Sequence, residues 1–140
     1  MVSITLRGRE IPLVYTVYEM KLLQEEVAPL GDLMYILFGR SREEGDNADL
    51  YGTPQHLQAV ARLIRILGNG GLEESGQEPN LTDKWVMRAL KPSQITDGMS
   101  ACMQAMNEGM ESEIPDEKAE NGEPVDVTLE EIKKKKEQES

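Results

Sequence analysis

One cysteine and one histidine are present in 140 residues. A single cysteine excludes an intrachain disulfide and any zinc site built on paired cysteines. A single histidine, His56, has no second imidazole to join it, and its sequence neighbours supply no nucleophile or orienting group. Aromatic residues are scarce, with one Phe, one Trp and four Tyr. No apolar run approaches the roughly 18–20 residues that span a bilayer, and the opening MVSITLRGRE lacks the apolar stretch of a secretory signal. Positive charge is also in short supply. Residues 1–110 hold fifteen acidic and ten basic residues, and 111–140 hold eleven and five, within a net charge of −11. Phosphate recognition needs clustered Lys and Arg, so neither nucleic acid nor an anionic membrane surface is expected as a partner. A soluble, cytoplasmic protein is expected.

What is present is patterning. Residues 2–6 and 11–15 alternate around Arg7-Gly8-Arg9-Glu10, which predicts a β-hairpin turning at Gly8, with Pro12 on an edge. Thr16 with Glu19 forms a capping-box pattern. Behind it Val17, Met20, Leu23 and Val27 make one helical face. Pro29 interrupts, and Leu33, Ile36 and Leu37 predict a short buried helix ended at Gly39. Residues 40–52 read as loop. Thr53-Pro54 opens the clearest helix, with Leu57, Val60, Ala61, Ile64 and Leu67 as its buried stripe and Gln58, Arg62 and Arg65 off it. Gly68-Asn69-Gly70-Gly71 is expected to end that helix. Thr82 or Asp83 caps a short helix holding Trp85, Val86 and Leu90, which Lys91-Pro92 breaks. A last helix carries Ile95, Met99, Cys102, Met106 and Met110, with Met103 beside the stripe.

The expected fold is therefore mainly α: a compact domain of four to five helices over residues 1–110 with a small N-terminal hairpin. Residues 111–140 form an acidic tail with too little apolar surface to offset the entropy of ordering, so disorder is expected there. Its one basic block is Lys133, Lys134, Lys135 and Lys136.

Chemistry-bearing patterns are few. The glycine cluster follows a helix, whereas a phosphate loop follows a strand and ends in Lys-Ser/Thr. Glu25-Glu26, Glu43-Glu44 and Glu73-Glu74 are neighbours that diverge by about 100° on a helix, so they read as solvated surface. Asp46-Asn47-Asp49 is too short for a calcium loop. Cys102 reads as a small buried hydrophobe. No catalytic residue, cofactor-binding residue or metal ligand is expected, and the chain is read as no enzyme. Met99, Met103, Met106 and Met110 stand out, because methionine-rich faces serve adaptable protein contacts as well as cores. Both readings stay open at this point. The contact reading assigns these four residues to a partner surface.

The order of the pieces resembles the tail assembly chaperones of long-tailed phages and prophages, in the version common in Gram-positive hosts. The likeness runs through ITLRGREIPLVYT and YEMKLLQEE, LGDLMYILFGR, HLQAVARLIRILGN, LTDKWVMRALKPSQI and the closing Asn107-Glu108-Gly109-Met110, covering residues 3–110. It implies a non-enzymatic helical protein that coats the tape measure protein during tail-tube assembly. Contact with the tail tube protein, self-association and absence from the mature virion are also implied. Members often make a longer product by ribosomal frameshifting near the end of the first frame. Lysine codons are A-rich, which makes Lys133–Lys136 a candidate footprint of such a shift. The competing expectations are a structural tail or head-completion component of the virion, and a bacterial protein-binding adaptor.

Overall fold

The computed structural model describes residues 1–40 and 50–111. Outside these lie Glu43-Glu44, the Asp46-Asn47-Asp49 stretch, the expected disorder beyond Glu111, and Lys133–Lys136. Among the described residues the domain is mainly helical, with five α-helices, one short 3-10 turn and a two-stranded antiparallel hairpin.

Strands β1 (Ser3–Leu6) and β2 (Arg9–Pro12) pair in the register Ser3↔Pro12 to Leu6↔Arg9. The two turn residues have positive φ, +54° at Arg7 and +75° at Gly8, as the right-handed twist of a tight hairpin requires. Pro12 sits at the open end, and the next residue, Leu13, donates its N–H to the Val2 carbonyl at 2.9 Å.

The capping box at Thr16 forms as its spacing predicts and opens α1 (Val17–Glu26). The Thr16 N–H donates to Glu19 Oε1 at 2.8 Å. The face of α1 differs from the expected one, however. Val17 is 79% exposed while Glu19 is buried, because Glu19 turns inward to serve the cap. Helix α2 (Leu30–Leu37) starts after Pro29 and stops at Gly39, whose φ of +81° only glycine takes without strain. Thr53 caps α3 (Pro54–Glu74), Thr82 caps α4 (Asp83–Ala89), and the 3-10 turn Pro92–Gln94 leads into α5 (Ile95–Met110).

Helix α3 is the axle of the domain. It packs against α1, α2, α4, α5 and β2, and its Val60, Leu63, Ile64, Leu67 and Leu72 are almost fully buried. Two sequence expectations fail along it. Leu57 is 38% exposed rather than part of the buried stripe. Gly68 to Gly71 do not end the helix, which continues to Glu74. These glycines act by having no side chain. A Cβ at Gly71 would overlap the Pro12 carbonyl, and one at Gly68 would strike Leu81. The chain leaving β2 therefore lies directly on the helix backbone, and the Val14 N–H donates to the Leu67 carbonyl at 3.2 Å. On α5, Gly109 gives the same close passage to the Tyr15 carbonyl.

The polar side of α3 is also structural. Arg62 donates to the Glu26 carbonyl at 2.8 Å, filling an orphan acceptor at the end of α1. Arg62 Nε reaches Asp83 at 3.2 Å, and Arg65 pairs with both Asp83 and Glu26. Burial alone would lower the Arg65 pKa, but hydrogen bonds and charge attraction from Glu26 and Asp83 outweigh it and leave it raised. Asn69 brackets Leu81, accepting from its N–H at 2.9 Å and donating to its carbonyl at 3.2 Å.

Alanine ordinarily stabilises a helix interior over glycine by about 1 kcal/mol. Gly71→Ala should do the reverse and cost at least about 2 kcal/mol through backbone overlap. Gly98→Ala, where a Cβ would meet only flexible side-chain tips, Ile64 at 3.3 Å, Ile4 at 3.5 Å and Leu90 at 3.6 Å, should remain within about 1 kcal/mol of wild type. Urea unfolding of both variants checks this. Equal stability of Gly71→Ala and wild type would refute the backbone-contact account.

Candidate partner-binding groove

Helix α2 is short and carries two apolar stripes. One, with Leu33 and Leu37, faces the core. The other, Leu30, Met34 and Phe38 at four-residue spacing, faces outward, and Phe38 is 54% exposed. Phe38 walls a groove of about 370 Å³ between the end of α2, the start of α3 and the first half of α5. Tyr51, Ile95, Met99 and Met103 complete its largely apolar lining. Phe38 also borders a shallower recess of about 450 Å³ with Met34, Tyr35 and Arg40. Phe38 is common to both, so the recess with the exposed Met34 adjoins the groove that reaches Met103. Contiguous exposed apolar surface above roughly a few hundred Å² is the feature that commonly marks interaction sites.

His56 forms part of the groove floor and is completely buried. The Gly52 N–H donates to Nδ1 at 3.2 Å, so the proton sits on Nε2, which donates to the Leu37 carbonyl at 3.1 Å. The Tyr51 ring lies 4.8 Å from the imidazole. Both ring nitrogens are thus committed to backbone groups. The histidine ties the end of α2 to the start of α3 and holds the groove's two walls in place.

The four methionines of α5 part company. Met99 is 7% exposed and lies in the groove floor, and Met103 is half-buried in its wall. Met106 is buried in the core, and Met110 is 68% exposed at the far end of the helix. Only Met99 and Met103 are brought together at the groove. The residues not singled out from sequence are Phe38, Tyr51 and Met34. The signal for two of them was there, since Leu30, Met34 and Phe38 repeat at helical spacing beside the core stripe of α2.

Other reactive groups are closed off. Cys102 is buried, and desolvation pushes its thiol up to about 12. Among the described residues no group of three or more His, Cys, Asp or Glu could hold a metal ion, and no helix is long and apolar enough to cross a membrane.

The Cys102 shift sets an alkaline limit. The folded state keeps the thiol protonated above pH 9, where the unfolded chain releases its proton. Its contribution to stability is full below pH 9 and is lost as pH rises toward about 12. Between those values wild type should lose stability faster than Cys102→Ala, by up to about 1.4 kcal/mol per pH unit. Urea unfolding of the two proteins across this range is the check, and parallel pH curves would reject it.

No protein-family model matches this chain, and neither a curated protein nor a solved structure matches it.

Proposed function

We propose that this protein is a tail assembly chaperone of a long-tailed phage or prophage, non-enzymatic, that shields the tape measure protein during tail-tube assembly. It works in the host cytoplasm and leaves before the virion is complete. The observation that carries the reading is the apolar surface from Met34 through Phe38 to Met103 on an otherwise acidic domain. A tape measure protein is a long helical chain whose apolar stripe aggregates when bare. One face of such a helix offers side chains at i, i+4 and i+7, which dock in an apolar groove. Methionine and phenylalanine in the walls suit many successive segments of a repetitive partner better than one fixed shape. The net charge of −11 keeps the coated complex soluble. The likeness of residues 3–110 to the chaperone pattern supports the same reading. The tail tube protein and further copies of the chain are the secondary partners.

Co-expression with the tape measure protein tests it. Phe38→Glu and Met103→Glu should fold, as read by circular dichroism, and recover at least about tenfold less partner in a pull-down. Met110→Glu should bind as wild type does, and Met106→Glu should unfold because its side chain is core. Undiminished recovery with Phe38→Glu and Met103→Glu would reject the groove as the binding site. Failure of the wild type to hold any tape measure protein would reject the function.

The proposed frameshift has its own test. An N-terminally tagged native gene with its downstream DNA should yield a minor longer product whose junction maps to Lys133–Lys136 by mass spectrometry. A single product ending at Ser140 removes the frameshift while leaving the chaperone reading in place.

A further inference from the structure

A second site lies away from the apolar groove, between α1 and α3, and its centre is Glu19. This carboxylate is only 4% exposed. Its Oε1 accepts the capping bond from the Thr16 N–H and a second bond from the Thr16 hydroxyl. Its Oε2 has no hydrogen-bonding partner among the described residues and lies over Gly70, where a Cβ would displace it. Two recesses, of about 330 and 290 Å³, meet at Tyr18, Glu19, Gly70 and Glu73. Glu74 borders the first and Glu26 the second. Two basic groups lie nearby, each with an acidic partner of its own, Lys21's in a solvent-exposed pair. Arg65 pairs with Glu26 and Asp83, and Lys21 pairs with Glu25 at 3.4 Å.

We propose that this cleft receives a basic side chain of a partner protein, an arginine or lysine whose cationic head donates to Glu19 Oε2. The physical reason is the cost of a buried carboxylate oxygen without a donor, which a cationic donor removes. Glu73 and Glu74 add negative potential at the mouth. The Tyr18 ring, 57% exposed, supplies an aromatic wall that already has the Lys21 ammonium 5.4 Å from its centroid. Gly70 is what makes the seat, since any side chain there would fill the space that Oε2 occupies. An organic cation fits better than a metal ion, because no set of three or more candidate metal ligands converges among the described residues. The site stands apart from the groove and does not depend on the chaperone reading.

The test is a titration of the full-length 15N-labelled protein with blocked tripeptides, Gly-Arg-Gly and Gly-Lys-Gly. The neutral controls carry citrulline or norleucine at the centre. The proposal expects saturable shifts confined to amides around Tyr18, Glu19 and Gly70 with at least one cationic peptide, and none with its control. Glu73→Gln/Glu74→Gln, which leaves the capping box intact, should weaken binding about threefold to tenfold. Glu19→Gln keeps a capping oxygen and should abolish the localised shifts. If that variant does not fold, the double variant decides. Equal response to the neutral controls, shifts scattered over the acidic surface, unchanged binding by the double variant, or no binding by either cation would each overturn the proposal.

Discussion

The backbone leaving the hairpin lies against a bare stretch of helix, and the rest of the domain is arranged around that contact. Pro12 and Leu13 rest on Gly71, Val14 bonds to the Leu67 carbonyl, and Tyr15 passes over Gly109. Two helices thus give up side chains so that one extended segment can lie between them. This close approach brings Thr16 and the start of α1 beside Gly70, which buries Glu19. It also places β2 against α3, where Ile11 becomes fully buried. A methyl group at the seat would push the hairpin outward and open the layer beneath it.

The sequence made most element boundaries legible because local chemistry sets them. Thr16, Thr53 and Thr82 each cap the helix that follows, and Pro29, Gly39 and Pro92 punctuate as their backbone preferences require. Legibility failed where a tertiary contact overrode a local preference. Gly68 to Gly71 look like a helix end in one dimension, and only the hairpin backbone pressed against them explains why the helix continues. Val17 looks apolar and therefore inward-facing, yet the inward turn of Glu19 sends it out. Arg62 and Arg65 look like a solvated face, yet they hold the end of α1 and the start of α4.

The candidate groove was half legible for a related reason. A methionine stripe says that a face is apolar, but not how much of it the fold covers. Here α5 spends Met106 on the core, leaves Met103 at a wall and exposes Met110. The groove exists because α2 is only eight residues long and apolar on two sides, with one stripe more than its neighbours can cover. His56 then fixes the spacing of the walls by bonding to backbone on both, so the groove is held open by a polar group at its floor. A hydrogen-bonded floor thus carries walls of methionine, tyrosine and phenylalanine.

The seat of Tyr15 on Gly109 joins the segment between β2 and α1 to the last helix of the described domain. On the ribosome the hairpin emerges early, but its resting place on α5 is synthesised near the end of the domain. The local turn at Arg7-Gly8 can form at once, whereas docking must await both glycine-bearing helices. Until α5 clears the exit tunnel, Leu6, Ile11 and Leu13 have no complete core to enter. The seat of the hairpin is thus built from α3 in mid-chain and α5 at the end of the described domain, so its completion depends on contacts between residues far apart in sequence, the kind of non-local closure that slows folding.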